Sequence, residues 1–302
     1  MGHEVLTAPV PAQWVDHRIM HIMQLGYEKF APNRIGPQEK WLLKVLPSFK
    51  PDVMIALTHA VSEESLLTLQ RAGCVNVAWW GDTAANMRNQ GLLCYGWDHI
   101  FIKDRYAVFK LQTLGLSSSF LPEAMNPMWH KPLYGANNDD VVFAGNTYEY
   151  RHFLLRRLLD AGYPSLKLYG NKPPRWADPR ITGLYQQKFV VKEEKSKVFG
   201  EAHASINSTS MTEGNSINCR TFEIAGAGGL QLMEYRQAIE DCFDPGKEIE
   251  TFSSVEELID KLDRYKIDKA AARSIREQAS RRAHEEHTYQ HRLAHIIKQI
   301  RS

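Results

Sequence analysis

The residues best suited to chemistry lie in one stretch. Glu213-Gly214-Asn215-Ser216-Ile217-Asn218 leads into Arg220-Thr221-Phe222-Glu223-Ile224-Ala225-Gly226-Ala227-Gly228-Gly229-Leu230. This reads as a polar loop, a short helix of small residues, a glycine turn and a strand. A helix start after such a loop presents unsatisfied backbone N–H groups and a partial positive charge. It is a ready seat for a phosphate or diphosphate. The amides around Ser216 and Asn218, with the Arg220 guanidinium, would stabilise charge developing on a leaving diphosphate without a metal. Glu223 sits about one turn into the helix, within reach of the hydroxyls of a neighbouring sugar. Ala225, Gly226 and Ala227 allow close backbone approach. The plainer readings are a structural ion pair for Arg220 and a helix-face carboxylate paired with an arginine for Glu223.

Other candidates lie at the ends of apolar runs. His59 follows Pro51-Asp52-Val53-Met54-Ile55-Ala56-Leu57, and Asp82 follows Trp79-Trp80-Gly81. Ligands of parallel α/β sheets gather beyond the carboxyl ends of strands. A carboxylate beside two indoles could deprotonate an acceptor hydroxyl held on an aromatic face. The alternative is a core Trp pair, with Asp82 capping the next helix. His284, His287, His291 and His295 are spaced 3, 4 and 4, a stripe if one helix holds them all. Thr288 is a cap that would break that helix, so packing is the better reading. Asp139-Asp140 reads as linker rather than as an acidic metal motif. No metal site is expected.

The elements that must position these residues alternate. Trp41, Leu42, Val45 and Leu46 have helical spacing over 36–48. The run at 53–57 predicts a buried strand, and Ser62 caps a helix through Arg71. Strands follow at 75–80, 99–102 and 119–122, with a helix from Tyr106 to Leu114. Pro127 to Asp140, rich in Pro, Gly, Asn and Asp, predicts a linker. A second series then begins: a strand at 141–143, a helix from Tyr150 to Ala161, and a strand ending at Tyr169-Gly170. A helix from Lys192 to Ala202, a strand at 204–207, the Arg220 helix and the strand after Leu230 follow. Ser254 caps a helix through Tyr265, and 269–301 is largely helical. Such alternation predicts parallel α/β sheets.

Composition narrows the function classes. The chain has 302 residues, 43% hydrophobic and 24% charged, room for two domains. Its 37 basic and 35 acidic residues give a formal charge of +2. Residues 1–135 hold 12 and 11 of them, so neither half has the footprint of a duplex-DNA binder. Cys74, Cys94, Cys219 and Cys242 form no C-x-x-C pair and fit a reducing cytosol. No run approaches a membrane span, the N-terminus lacks a signal-peptide core, and Leu6 stands where a myristoylation signal wants Ser or Thr.

The 220–234 stretch does not stand alone. Asp244-Pro245-Gly246-Lys247-Glu248-Ile249, Ser254-Val255-Glu256-Glu257-Leu258 and His287-Thr288-Tyr289-Gln290-His291-Arg292 follow it. Val142-Phe143-Ala144-Gly145-Asn146 and Arg151 precede it. In this order the set resembles the C-terminal domain of nucleotide-sugar glycosyltransferases of the GT-B fold, and among group 1 enzymes the spore-maturation CgeB-like branch. The likeness covers about residues 140–300 well and the N-terminal half more loosely.

The resemblance implies two Rossmann-like domains facing across a cleft, an acceptor-side domain over 1–132 and a donor domain over 133–302. The last helix would cross back to the first domain. Gly2-His3-Glu4-Val5-Leu6 looks like the turn and second strand of such a domain, implying either a truncated start or a domain that lacks its first βα unit. The implied activity is metal-independent transfer of a sugar, without a cofactor, from a nucleotide-diphosphate sugar to an acceptor hydroxyl in the cytoplasm. The acceptor would be a glycan, protein or small molecule. Donor contacts would come from Gly145, Asn146, Arg151, Tyr169, Gly170, Asn215, Ser216, Asn218, Arg220 and Glu223, with Asp82 or His59 as base. Arg151 stands near a phosphate-binding Lys position of the family, where a helix-surface role is the alternative. Group 1 enzymes hold the donor with two glutamates spaced E-x(7)-E. Glu223 matches the second, and Asn215 stands at the first, which leaves the donor-sugar contact and the stereochemical outcome open. The other readings are a catalytically silent nucleotide-sugar or glycan-binding protein, and an epimerase or hydrolase on the same fold.

Overall fold

The structure, a computed structural model, describes residues 2–9, 37–57, 61–83, 92–134, 138–146, 149–163 and 165–301. The chain divides into two compact units. One comprises Met1–Ile102 and Val108–Ser119, the other Lys103–Ala107 and Phe120–Ser302.

In the first unit, α1 (Pro37–Phe49), β1 (Val53–Leu57), α2 (Glu63–Arg71), β2 (Val75–Trp80) and β3 (His99–Ile102) follow in order. Helix α3 (Arg105–Thr113) and β4 (Ser118–Phe120) close the series, each straddling the division between units. The sheet order is β1-β2-β3-β4, with β1, β2 and β3 parallel. Glu39 of α1 ties the first helices together, accepting from the hydroxyls of Ser62 at 2.5 Å and Ser65 at 2.7 Å. Ser62 in turn caps α2, taking the Ser65 N–H. The strand expected over residues 2–6 does not form. Residues 2–9 carry no secondary structure and are mostly exposed, and an extended segment becomes a strand only where a neighbour takes its hydrogen bonds.

The second unit holds β5 (Val141–Ala144), α4 (Glu149–Asp160), β6 (Leu166–Tyr169), α5 (Pro179–Leu184) and α6 (Lys192–Glu201). Then come β7 (Ala204–Asn207), α7 (Cys219–Gly226), β8 (Gln231–Glu234), a 3-10 turn (Gln237–Ile239) and β9 (Glu250–Phe252). Helices α8 (Val255–Ile267), α9 (Lys269–Glu286) and α10 (Tyr289–Arg301) end the chain. The five strands are parallel in the order β6-β5-β7-β8-β9. Strand β5 is buried along its whole length. Val141 and Phe143 join one apolar cluster with Leu155, Leu168, Ile206 and Leu232, while Val142 and Ala144 join another with Phe199, Ile224 and Ala227. That two-residue alternation onto two apolar clusters is what a doubly covered parallel strand requires.

The stretch expected as a linker, 127–140, lies inside the second unit. Its backbone is bonded there: Leu133 N–H donates to Ala227 O at 3.0 Å, and Ser196 Oγ to Lys131 O at 3.0 Å. Its Pro and Gly content marks an irregular strap rather than a free hinge. Helix α10 also clusters with the second unit.

Candidate functional site

The order β6-β5-β7-β8-β9 reverses direction between β5 and β7. In open parallel sheets this is the point where loops part and leave a crevice beyond the strand ends. The loop leaving β5 begins at Gly145, φ +149°, and the loop leaving β6 at Gly170, φ +126°. Neither position admits a side chain. A Cβ on Gly145 would lie 2.1 Å from Arg220 Nη1, and one on Gly170 would lie 2.7 Å from Gly145 O. Gly145 N–H donates to Tyr169 O at 2.8 Å, and Tyr185 Oη to Gly170 O at 3.0 Å, so the two turns are stacked.

Two arginines stand at this reversal. Arg151 is buried and donates to Ser208 O at 2.6 Å, Ser208 Oγ at 3.1 Å and Asn146 O at 3.0 Å. It is therefore not a helix-surface residue. Arg220 donates to Ala144 O and, at 3.3 Å, to Ser208 O. Together they tie the loops after β5 and β7 and bring positive charge to the crevice. Asn146 Oδ1 accepts from Asn171 Nδ2.

Helix α7 begins where expected, with Asn218 as its N-cap. Asn218 spends its side chain on Asn207, with Nδ2 donating to Asn207 Oδ1 at 2.9 Å. Ser216 is fully buried, its hydroxyl donating to Glu213 at 2.8 Å. Asn215 Oδ1 accepts the Ala238 N–H at 2.8 Å, a structural use. The Cys219 N–H donates to Glu123 Oε2 at 3.1 Å, so the helix start already carries a carboxylate. Burial pushes the Glu123 carboxyl up to about 7, against the opposing pull of Lys103. Lys103 Nζ is 4.0 Å from Glu123 and 3.5 Å from Glu213.

Glu223, one turn on, does not pair with an arginine. Lys195 Nζ of α6 lies 2.5 Å from Oε2, and His130 Nε2 lies 3.8 Å from Oε1. His130 is buried, which lowers its basicity despite the nearby carboxylate. Arg220, Glu223, Lys195, His130 and Glu123 thus form one group of ionisable side chains around α7.

Three comparisons bear on this geometry. Residues 151–298 match a family model described as glycosyl transferase-like. A sequence search among curated proteins gives no match. Solved structures share the fold at low identity. A sucrose-phosphate synthase from Thermosynechococcus elongatus superposes with a TM-score of 0.64 at 12% identity, over 88% of this chain and 77% of that one. Anabaena HepE, in complex with UDP and glucose, gives 0.62 at 11% over 88% and 82%. S. aureus TarM, in complex with fondaparinux, alpha-GlcNAc-glycerol and UDP, gives 0.61 at 8% over 88% and 59%. The fold is GT-B, with a parallel sheet in each unit.

The second unit brings Gly145, Asn146, Arg151, Tyr169, Gly170, Arg220 and Glu223 to its strand ends and to α7. Asp82 belongs to the first unit, where its Oδ1 accepts the Thr83 N–H at 2.7 Å. Trp79 and Trp80 are each 4% exposed, so the core reading of that pair holds and they offer no open face for a sugar. His59 lies outside the described residues. The histidines do not converge: His287 Nε2 donates to Cys242 O at 2.7 Å, His284 faces Gly226 O at 3.1 Å, and His291 faces Thr288 Oγ1 at 2.9 Å. His287 ends α9, breaking the stripe as Thr288 implies. Asp140 pairs with Lys167 at 2.5 Å. Among the described residues no cluster of acidic, His or Cys side chains has metal-site geometry, and no helix is long and apolar enough to cross a membrane.

Sequence reasoning missed Lys195, His130, Glu123 and Lys103. None of them belongs to the glycine-flanked stretch around α7, His130 falls in the stretch read as linker, and only folding brings them to α7. Glu213 was in view as loop. It is a carboxylate two residues before Asn215, held by Lys103.

Proposed function

We propose that this glycosyltransferase moves a sugar from a nucleotide-diphosphate donor to an acceptor hydroxyl, without a cofactor or bound metal, as a CgeB-like enzyme of the cytoplasm. The observation that carries the reading is the reversal between β5 and β7, where Arg220 reaches the glycine turn while Glu223 stands one turn along the same helix. A diphosphate lying over the Gly145 turn meets the Arg220 charge, and the absent side chain leaves room for the close approach. Asn146, Tyr169, Gly170, Ser216 and Asn218 line the same strand ends, with Arg151 fixing their loops from below. Glu223 accepts hydrogen bonds from ribose hydroxyls, its carboxylate oriented by Lys195.

Bond breaking places charge on the diphosphate. Fixed cations and amides stabilise that charge without reorganising, so they favour the transition state over the ground state. For an inverting transfer a base takes the acceptor proton, with Asp82 the first candidate and His59 the second. A glycan acceptor suits the reading, since TarM is solved with glycan-like ligands and HepE with UDP and glucose.

The test is calorimetric titration of wild type and Glu223→Ala with UDP, GDP and ADP. A charge-assisted hydrogen bond contributes roughly 1.5–3 kcal/mol, so the variant should bind its preferred nucleotide about ten- to a hundredfold more weakly. Unchanged affinity in a folded variant removes Glu223 from the donor site. A second reading, a silent binding protein, draws on Asn215, whose amide is spent on the Ala238 N–H. Nucleotide released on an acceptor panel excludes it.

A further inference from the structure

Helix α9 presents Glu277, Ser280, Arg281, His284 and Glu285 along one face, at spacings of three and four that align them. With Pro132 and Tyr134 of the 131–134 strap they line an open groove of about 380 Å³. The groove lies at the far end of α7 from the strand-end site: His284 faces Gly226 O, and the strap is pinned to Ala227 O by Leu133. It is built on fixed elements, since Arg276, one turn earlier on α9, is buried and donates to the carbonyls of Gly200, Ala202, His203 and Gly228.

Two observations point to a ligand. Ser280 is 1% exposed, yet its Oγ has no hydrogen-bond partner. A buried hydroxyl left unsatisfied costs free energy that a bound polar group would recover. Arg281 and Glu285 form no ion pair among the described residues, although they stand one turn apart. Donors and acceptors therefore alternate along the floor, beside a wall formed by the Tyr134 and Pro132 rings.

We infer that this groove is a second binding site, for a neutral polyhydroxylated ring: a saccharide held by its hydroxyls on Ser280, Arg281 and Glu285, with an apolar face against Tyr134. The charges select for neutrality. Glu277 is already balanced by Arg273 at 2.7 Å, and Arg281 and Glu285 offset each other, so an anion or cation gains no net attraction. Pairs of vicinal hydroxyls match the forks of a carboxylate and a guanidinium, each hydroxyl donating to one and accepting from the other. A pocket of this size with one aromatic wall and a few convergent polar groups fits one sugar ring or the end of a chain.

The test is amide-resolved NMR of the full-length protein, titrated with methyl glucoside, maltotriose and the open-chain polyol sorbitol. Few heavy atoms make contact, so binding should fall in the millimolar range. Saturable shifts are expected at Ser280, Arg281, Glu285 and Tyr134 with the ring sugars. Maltotriose binding more tightly marks a glycan chain end, and equal affinity marks a single ring; both support the site. Tyr134→Ala, at a half-exposed position, should weaken binding by about tenfold. Glu223→Ala should leave it intact, which separates the groove from the donor site. Absence of shifts at these amides up to about 0.1 M sugar, well beyond millimolar affinity, overturns the inference. So does equal binding of sorbitol, or shifts that survive Tyr134→Ala and vanish in Glu223→Ala.

Discussion

The two parallel sheets end differently. At the carboxyl end of β2 in the first unit, Trp79 and Trp80 are buried and Asp82 bonds the next backbone amide. At the ends of β5, β6 and β7 in the second, two arginines and two glycines without room for a side chain converge, and a Glu–Lys pair stands one turn along α7. Both units use alternating strands and helices, yet among the described residues only the second orders its strands with a reversal. A reversal parts two loops at adjacent strand ends, and polar groups can gather in the gap without a buried apolar layer above them. The described part of the first sheet runs in sequence order, and its β2 end is filled by apolar packing.

The largest effects should come from asking whether the first unit contributes chemistry at all. If Asp82 is the base, Asp82→Asn lowers turnover by ~100-fold or more with unchanged donor affinity, since general-base catalysis contributes about 10²–10⁴-fold. Steady-state rates with parallel calorimetry measure both. Near-normal turnover would leave the first unit without a base at that strand end.

Trp80→Ala tests packing in the same place. Removing a buried Trp costs about 3–5 kcal/mol, read from urea denaturation, and nucleotide affinity of the folded fraction should not change. A variant of normal stability that binds glycan poorly would contradict the buried-core reading.

Gly145→Ala probes the other side of the comparison. At φ +149° a side chain is strained by about 1–3 kcal/mol, and its Cβ would collide with the Arg220 guanidinium. Reduced thermal stability and weaker nucleotide binding are expected together. Wild-type binding in this variant would show that Arg220 need not hold its place.

The smallest effect is in the pH dependence of the second unit. Burial holds the His287 imidazole down, from 6.5 to about 4. Between these values the unfolded chain takes up a proton that the fold refuses, so stability is lost as pH falls from 6.5 towards 4, by at most about 3 kcal/mol. Glu123 has the opposite sign. Its carboxyl is raised from 4.5 to about 7, so the fold holds a proton the unfolded chain releases, and stability is lost as pH rises through that window. The two slopes oppose each other near pH 5–6. Unfolding midpoints of His287→Gln should therefore fall less on acidification than wild type, and those of Glu123→Gln more. Parallel curves for all three would refute both assignments.

Much of this was legible in local sequence. The apolar runs, the Ser62 and Ser254 caps and the glycine turns mark the strands and helices within a residue or two, because hydrogen-bonded periodicity and capping are local physics. The short elements α5 and β9 carried too little pattern, and 2–6 read as a strand that has no partner. The glycine-flanked Arg220–Glu223 helix was legible because its loop, start and turn are contiguous.

What only tertiary structure decided is who stands beside whom. The sequence alone determined that a helix would begin near Cys219 with a carboxylate one turn on, since its cap, its small residues and its terminal glycines act within a few residues. It could not determine that Glu123 occupies the first amide of that helix or that Lys195 rather than an arginine pairs with Glu223. Nor could it place Arg151 beneath two loops instead of on the surface. Those contacts join residues 28 to 96 positions apart, and no local propensity reaches so far. They are fixed by strand order, which sets which loops are neighbours, and by the cost of burying a charge without a partner, which draws each of these groups to another.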